Sequence, residues 1–300
     1  NRDRVQRFEL VINHPPGVKV EFKQFYPRRR FEPRVRRGPT RSSLVFGELP
    51  HPQPLDQLPG GYNRWHAVIW PQLRDARGQA IAPITVREFV EWRASHFKPF
   101  EPFSAAQRAL IKGLVEGAAS PRERARRVYD WVRGNVRYIA DERGINGFVP
   151  RAPSLVMKRR YGDCKDVSYL VIHMAREAGV SMTPVEVGTS PDAPFEGAHN
   201  AMTDHMVATF MDGGKRVFLD PTCDHCEYGN LPEMDVEKGA LILDPEAPQK
   251  LTIPAPEQGP SVEVAIEAAL GQLDRGTARI VLRNAKARRA RELKRTRKGD

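Results

Sequence analysis

The hydrophobic residues of this chain change period near Pro102, and that change limits the possible folds more than any other feature. Upstream they alternate in short runs interrupted by proline; downstream they recur every three to four residues. A chain patterned this way holds a strand-built part followed by a helical one. Residues 8–12 and 18–22 alternate around Pro15-Pro16-Gly17, and 43–46, 65–70 and 85–89 read as further short strands. No helical period is visible before residue 104. The expectation for 1–100 is an all-β sandwich of hairpins, with the arginine-rich stretch 28–41 as a long loop.

Downstream, residues 104–116 read as a helix with Leu110, Ile111, Leu114 and Val115 on one face. The next helix has Ser120 at its N-cap, Pro121 at its first position and Glu123 placed for a capping box. Its stripe is Ala125, Val128, Trp131, Val132 and Val136. A loop, a third helix from Cys164 to about Ala178, a strand at 184–188 and a hairpin over 205–220 follow, then a turn-rich stretch. Helices before sheet is an α+β order, expected for a second domain over 101–255. Residues 262–268 and 278–282 read as strands, so 256–300 are expected to be the start of a C-terminal β-domain cut short, with a basic tail.

Charge excludes less than it first suggests. The chain carries a net +11 and has a pI near 9.8, values that point to nucleic acid or an anionic surface. Residues 1–41 hold twelve Lys/Arg and four Asp/Glu, and 284–300 hold eight and two, leaving a middle of net −3. The basic ends 1–41 and 284–300 can serve an anionic surface such as the cell envelope; nucleic acid is not expected. No apolar run approaches the ~18 residues of a membrane span. The first methionine is Met157, so the sequence reads as a processed form or fragment; its start does not set the compartment, of which a periplasmic or envelope location is the one favoured.

The most informative segment is Tyr161-Gly162-Asp163-Cys164-Lys165-Asp166. Gly162 marks a turn, Asp163 is an N-cap residue, and Asp166 lies three on. Apolar residues recur at 167, 170, 171, 174, 175 and 178, and Gly179 is a natural stop. Cys164 is therefore the first residue of a helix with a buried body. The unpaired N–H groups and partial positive charge of a helix start favour thiolate over thiol, and the same N–H groups can hold an oxyanion. A buried, inert cysteine is the competing expectation.

A thiolate nucleophile needs a base, and the base an orienter. Residues 205–211 and 214–220 alternate as two strands. With Asp212-Gly213 as the hairpin loop, His205 lies directly opposite Asp220, with Cβ atoms ~4.5–5.5 Å apart. With Gly213-Gly214 as the loop, Asp220 faces Val207 but stays on the His205 side. A three-residue loop separates the two onto opposite faces.

These residues carry a resemblance. Tyr161–Asp166, Asp204-His205-Met206-Val207-Ala208 and Phe218-Leu219-Asp220-Pro221-Thr222 resemble the three signatures of the transglutaminase-like cysteine-enzyme superfamily. The likeness is greatest to its bacterial branch, in which an N-terminal β-sandwich domain precedes the core, and Gly229-Asn230-Leu231-Pro232 fits that branch. The resemblance implies an α+β, papain-like core of helices packed on an antiparallel sheet. It implies Cys164 as nucleophile, His205 as general base and acid, and Asp220 as orienter of His205. The chemistry it implies is acyl transfer or hydrolysis at an amide of a protein or peptide, through a thioester. No cofactor and no metal are implied. Relatives often add an upstream oxyanion donor; Tyr138 and Trp131 are candidates by position alone. The rival expectation is a catalytically silent module that binds protein or an anionic surface.

Weaker signals remain. Cys223-Asp224-His225-Cys226 is a lone CxxC, open to a packed loop with free thiols or a local disulfide, a disulfide regulating the neighbouring site, or a metal with His225 or His199. His173, nine residues after Cys164, is 2.5 turns on and points away from it. Tyr62, Trp65 and Trp70 read as sandwich core.

Overall fold

A computed structural model describes residues 7–25, 32–47, 68–79, 81, 85–96, 101–141, 143–189, 203–255, 261–268 and 276–283. The chain divides into two compact units. One comprises Asn1–Ser95 with Ser190–Asp204, the other His96–Thr189 with His205–Asp300.

The first unit is built mainly of strands. β1 (Phe8–Asn13), β3 (Arg34–Arg37) and β4 (Arg41–Phe46) form a sheet of order β1-β4-β3, while β2 (Lys19–Phe25) pairs with β5 (Val68–Arg74). The strands expected at 8–12 and 18–22 exist, yet they do not pair with each other. Leu10 lies opposite Leu44 and Val20 opposite Leu73. Gly17, at φ +85°, closes the turn in which the Val18 N–H bonds to the Pro15 carbonyl at 3.3 Å, and the chain passes there from one sheet to the other. Part of the arginine stretch is strand rather than loop: Val35 is half-buried while Arg34, Arg36 and Arg37 face outward. Residues 85–89 are not a strand either. They begin α1 (Val86–His96). Thr85 and Glu88 form a reciprocal cap, the Glu88 N–H bonding the Thr85 hydroxyl at 3.2 Å and the Thr85 N–H bonding the Glu88 carboxylate at 2.9 Å. Phe89 and Val90 are the buried face.

The second unit holds α2 (Ala105–Val115), α3 (Pro121–Asn135), α4 (Pro153–Arg159) and α5 (Cys164–Glu177). Ser104 and Gln107 complete a capping box at α2. At α3 the Ser120 hydroxyl accepts the Glu123 N–H at 3.1 Å, but the Glu123 carboxylate reaches past the cap to the Ala119 N–H at 2.9 Å. α4 lies in what reads as loop in the sequence, entered through Pro153 at its first turn. Two short strands, β6 (Arg137–Tyr138) and β7 (Tyr161–Gly162), pair in parallel on either side of α4.

α5 is the central helix. Ten residues from Lys165 to Ala175 are buried, because α2, α3 and α4 pack on it from one side and the sheet from the other. That sheet has the order β10-β9-β8-β11-β12, every neighbouring pair antiparallel. Its strands are β8 (Thr183–Val187), β9 (His205–Asp212), β10 (Lys215–Leu219), β11 (Gly239–Ile242) and β12 (Gln249–Thr252). Strand alternation divides the core. Ala208, Phe210 and Leu219 join Val128, Val132, Leu170 and Val171 on the helix side, whereas Val207, Phe218, Val187 and Ile242 form a second cluster. The strands expected at 262–268 and 278–282 are β13 (Ser261–Ala268) and β14 (Gly276–Arg283), and they pair antiparallel.

Candidate active site

The site begins where β7 turns into α5. The Asp166 N–H donates to the Asp163 carboxylate at 3.2 Å, and the Asp163 N–H donates to the Asp166 carboxylate at 3.3 Å. This capping box is buried: Asp163, Lys165 and Asp166 are at most 4% exposed. Buried charges need partners. Lys165 pairs with Asp163. Arg151 meets Asp166 with its backbone N–H at 2.7 Å and its guanidinium at 2.6 Å, and holds Asp141 at 2.6 Å with its other arm. Burial pushes the Asp163 carboxyl up, against the pull of Lys165. Gly162 has no room for a side chain, since a Cβ there would stand 2.6 Å from the Asp166 Cβ. Cys164, half-buried, is thus fixed at the first position of a helix whose start is locked by charge pairs.

His205 is the first residue of β9, with Val187 of β8 opposite it. The hairpin closes through Gly213-Gly214, so Asp212 faces Lys215 and Phe218 faces Thr209. Asp212-Gly213 is not the loop, for a physical reason. A type I′ turn needs positive φ at both central residues, and Gly213 (+55°) and Gly214 (+84°) supply it without strain. Asp220 then continues β10 on the face that carries His205. The His205 Nε2 lies 3.5 Å from Asp220 Oδ2, and the Cys164 thiol is in hydrogen-bonding contact with the ring. At 3.5 Å the Asp220 contact is long for a hydrogen bond, so its attraction is chiefly that of opposite charges. With Nε2 turned to the carboxylates, Nδ1 is the nitrogen left for the sulfur. Burial alone would lower the pKa of the ring. Asp220, the Cys164 sulfur and Asp235 outweigh it and hold His205 well above its usual 6.5.

Asp220 is held on its other side by Thr222, and its backbone carbonyl accepts the buried Tyr129 hydroxyl at 3.1 Å. Burial raises its carboxyl, but His205 and Thr222 overcome that and bring it below the ordinary 3.8. Thr222 stands in the sequence motif with no role readable there.

Asp235 is the residue sequence reasoning missed. Fully buried, it places Oδ1 4.0 Å from His205 Nε2. It lies in the turn-rich stretch before β11, where no periodicity assigns it a face. One atom from each of His205, Asp220 and Asp235 falls within 4.8 Å of the others, a spacing that a metal ion could bridge. The imidazole also faces two carboxylates, which makes a charged cluster of its own.

The remaining candidates fall elsewhere. Cys223 and Cys226 are joined as a disulfide, which removes them as thiolate ligands. The Cys226 carbonyl accepts Arg133 at 2.8 Å, tying this loop to α3. Tyr138 stands opposite Gly162, two residues before Cys164, while the Trp131 ring is covered by the Arg160 guanidinium at 4.6 Å. His173 lies half-buried against the Tyr169 ring. Tyr62, Trp65, His199, the side chain of Trp70 and the tail 284–300 lie outside the described residues.

Residues 108–221 match the family model of the transglutaminase-like superfamily, a segment that contains Cys164, His205 and Asp220 together. Over that segment the chain resembles the transglutaminase-like superfamily. A crystal structure of a protein from Parabacteroides distasonis, titled as a candidate protease, shares the fold at a TM-score of 0.60 and 12% identity, over 84% of this chain and 45% of the other. This chain therefore spans less than half the length of that protein. A candidate cysteine protease from Cytophaga hutchinsonii aligns at a TM-score of 0.32 and 13% identity, over 72% of each chain. LapG of Legionella pneumophila aligns at 0.30 and 14%, over 48% of this chain and 75% of that one. No curated protein sequence matches. Asp235 lies beyond the segment that matches this family.

Proposed function

We propose that this protein is a cysteine-dependent acyltransferase or hydrolase that acts on an amide of a protein or peptide through a thioester on Cys164. The observation that carries the proposal is His205, which lies between the Cys164 sulfur and the Asp220 carboxylate in a buried setting. In this mechanism the ring takes the thiol proton, and the thiolate attacks the amide carbonyl. The first-turn N–H groups of α5 receive the developing oxyanion. The imidazolium then protonates the leaving amine, leaving the thioester. Water or an amine resolves the thioester, with neutral His205 taking its proton. Asp220 keeps the ring oriented and stabilises its charged form.

The test is the reaction of Cys164 with a thiol-directed electrophile near neutral pH. Labelling faster than that of a free thiol, lost in Cys164→Ala, is expected; labelling at the free-thiol rate would sink the proposal. Incubation with a peptide library then traps the acyl-enzyme, and a fluorescent primary amine competing with water separates transfer from hydrolysis.

A further inference from the structure

Asp235 is a fully buried carboxylate fifteen residues after Asp220 in the chain, yet it meets the same imidazole nitrogen. Its position is fixed by the backbone. The Asp235 N–H bonds to the Pro232 carbonyl at 3.0 Å, and the Glu237 N–H bonds to the Ile253 carbonyl at 3.0 Å. Glu237 takes a left-handed conformation, φ +59°, which turns the chain into β11. The segment thus delivers Asp235 to the end of the sheet where β9 starts and β10 finishes.

Among the described residues, the groups that act on His205 come from three elements. α5 presents Cys164, the end of β10 presents Asp220, and the segment before β11 presents Asp235. The fourth neighbour, β8, puts the uncharged Val187 opposite it. A single N–H cannot bond two carboxylates equally well at 3.5 and 4.0 Å, so the second carboxylate acts on the ring mainly by charge. Two anions beside one buried ring hold the proton on it more firmly than one. They also restrain rotation of the ring, because turning Nε2 away leaves both anions without their shared cation.

We propose that Asp235 is a second positioning carboxylate for His205, sharing the Nε2 side of the ring with Asp220 so that Nδ1 stays on Cys164 and the ring stays protonated while the sulfur is a thiolate. This rests on the function proposed above. The proton balance is that of the mechanism: the thiol proton resides on His205 until it passes to the leaving amine, and no proton passes through Asp235.

The experiment compares the whole chain with Asp235→Asn and Asp235→Glu by two readouts. The first is the His205 ring titration by NMR, which needs no turnover. The second is the pH profile of Cys164 labelling. Opposite charges at this separation shift a pKa by roughly one to three units. Asp235→Asn is therefore expected to lower the His205 titration, and the alkaline limb of the labelling profile, by about one pH unit, and Asp235→Glu to restore part of the shift. A titration and an alkaline limb both unchanged in Asp235→Asn would overturn the proposal, as would a wild-type profile that moves when chelator is added, since a metal would then be holding the cluster. Should the asparagine variant not fold, Asp235→Ser is read by the same two measures. If Cys164 labels no faster than a free thiol but the ring titration still shifts, the cluster stands and the proposed function fails.

Discussion

Both the backbone N–H and the hydroxyl of Thr222 bond to one oxygen of Asp220, at 2.8 and 2.7 Å. The other oxygen is thereby turned toward His205, 3.5 Å away. The pair converts an Asp-Pro-Thr turn into a device that aims a carboxylate. Thr222→Val keeps the N–H contact and removes the hydroxyl. It is expected to slow Cys164 labelling about tenfold at neutral pH, for the loss of roughly 1.4 kcal/mol in holding the charged pair. Asp220→Asn is expected to slow it by up to about 10⁴-fold, the cost of leaving the His205 ring without its orienting carboxylate. Labelling rates across the pH range check both; an unaffected Thr222→Val would mean that the Thr222 N–H holds Asp220 without the hydroxyl.

Gly162→Ala tests the tightness of the α5 start. The new Cβ would overlap the Asp166 Cβ at 2.6 Å and crowd its carboxylate at 3.0 Å. Overpacking of this kind costs about 1–3 kcal/mol. Urea unfolding should show that loss together with slower Cys164 labelling, because the capping box and Cys164 share one turn. A stable variant with wild-type labelling would show that the turn can relax.

Arg151→Met removes the cation that serves both Asp166 and Asp141. The Arg151 side chain is 11% exposed and that of Asp166 is 0% exposed, so the remaining carboxylate is left buried without its cation. The expected loss is about 3–5 kcal/mol, the range for breaking a buried pair. Arg151→Lys should fall between, since an ammonium cannot bridge both carboxylates with the same fork. Thermal unfolding of the two variants gives the order.

His173 sets a pH dependence of stability. Burial, aided by Arg176, holds its pKa at about 4 against the usual 6.5. The unfolded chain therefore takes up the proton first as pH falls. The contribution of neutral His173 is complete above about pH 6.5 and is lost between there and about 4, amounting to roughly 1–3 kcal/mol. His205 has the opposite sign. Its raised pKa favours the fold below the usual 6.5, and that contribution disappears as pH rises through the folded value. The difference in urea stability between wild type and His173→Gln should change across the window from pH 6.5 to 4 and stay constant above it. A difference that is constant throughout would remove His173 from the acid response.

Local chemistry made several elements legible in the sequence. Asp163 and Asp166 announce the start of α5, and the caps at Ser104 and Ser120 announce α2 and α3, because a cap is a bond between residues three apart. The same signal was present at Thr85-Val86-Arg87-Glu88, where it marks α1 in a stretch that otherwise reads as strand. Gly213-Gly214 decided the hairpin register by a rule about φ, and with it the face shared by His205 and Asp220. α4 was hidden because seven residues give too little of a helical period.

What the sequence determined by itself is therefore short-range. It set the start of α5 with Cys164 at its first position, the alternation that keeps His205 and Asp220 on one face, and the change of period between strand-built and helical parts. Only the tertiary structure decided which strand pairs with which, as when β1 leaves β2 for β4. It alone brought Arg151 to Asp166 across fifteen residues and Asp235 to His205 across thirty. Those contacts come from charges that cannot stay buried alone, and the partner each one finds depends on how the whole core packs.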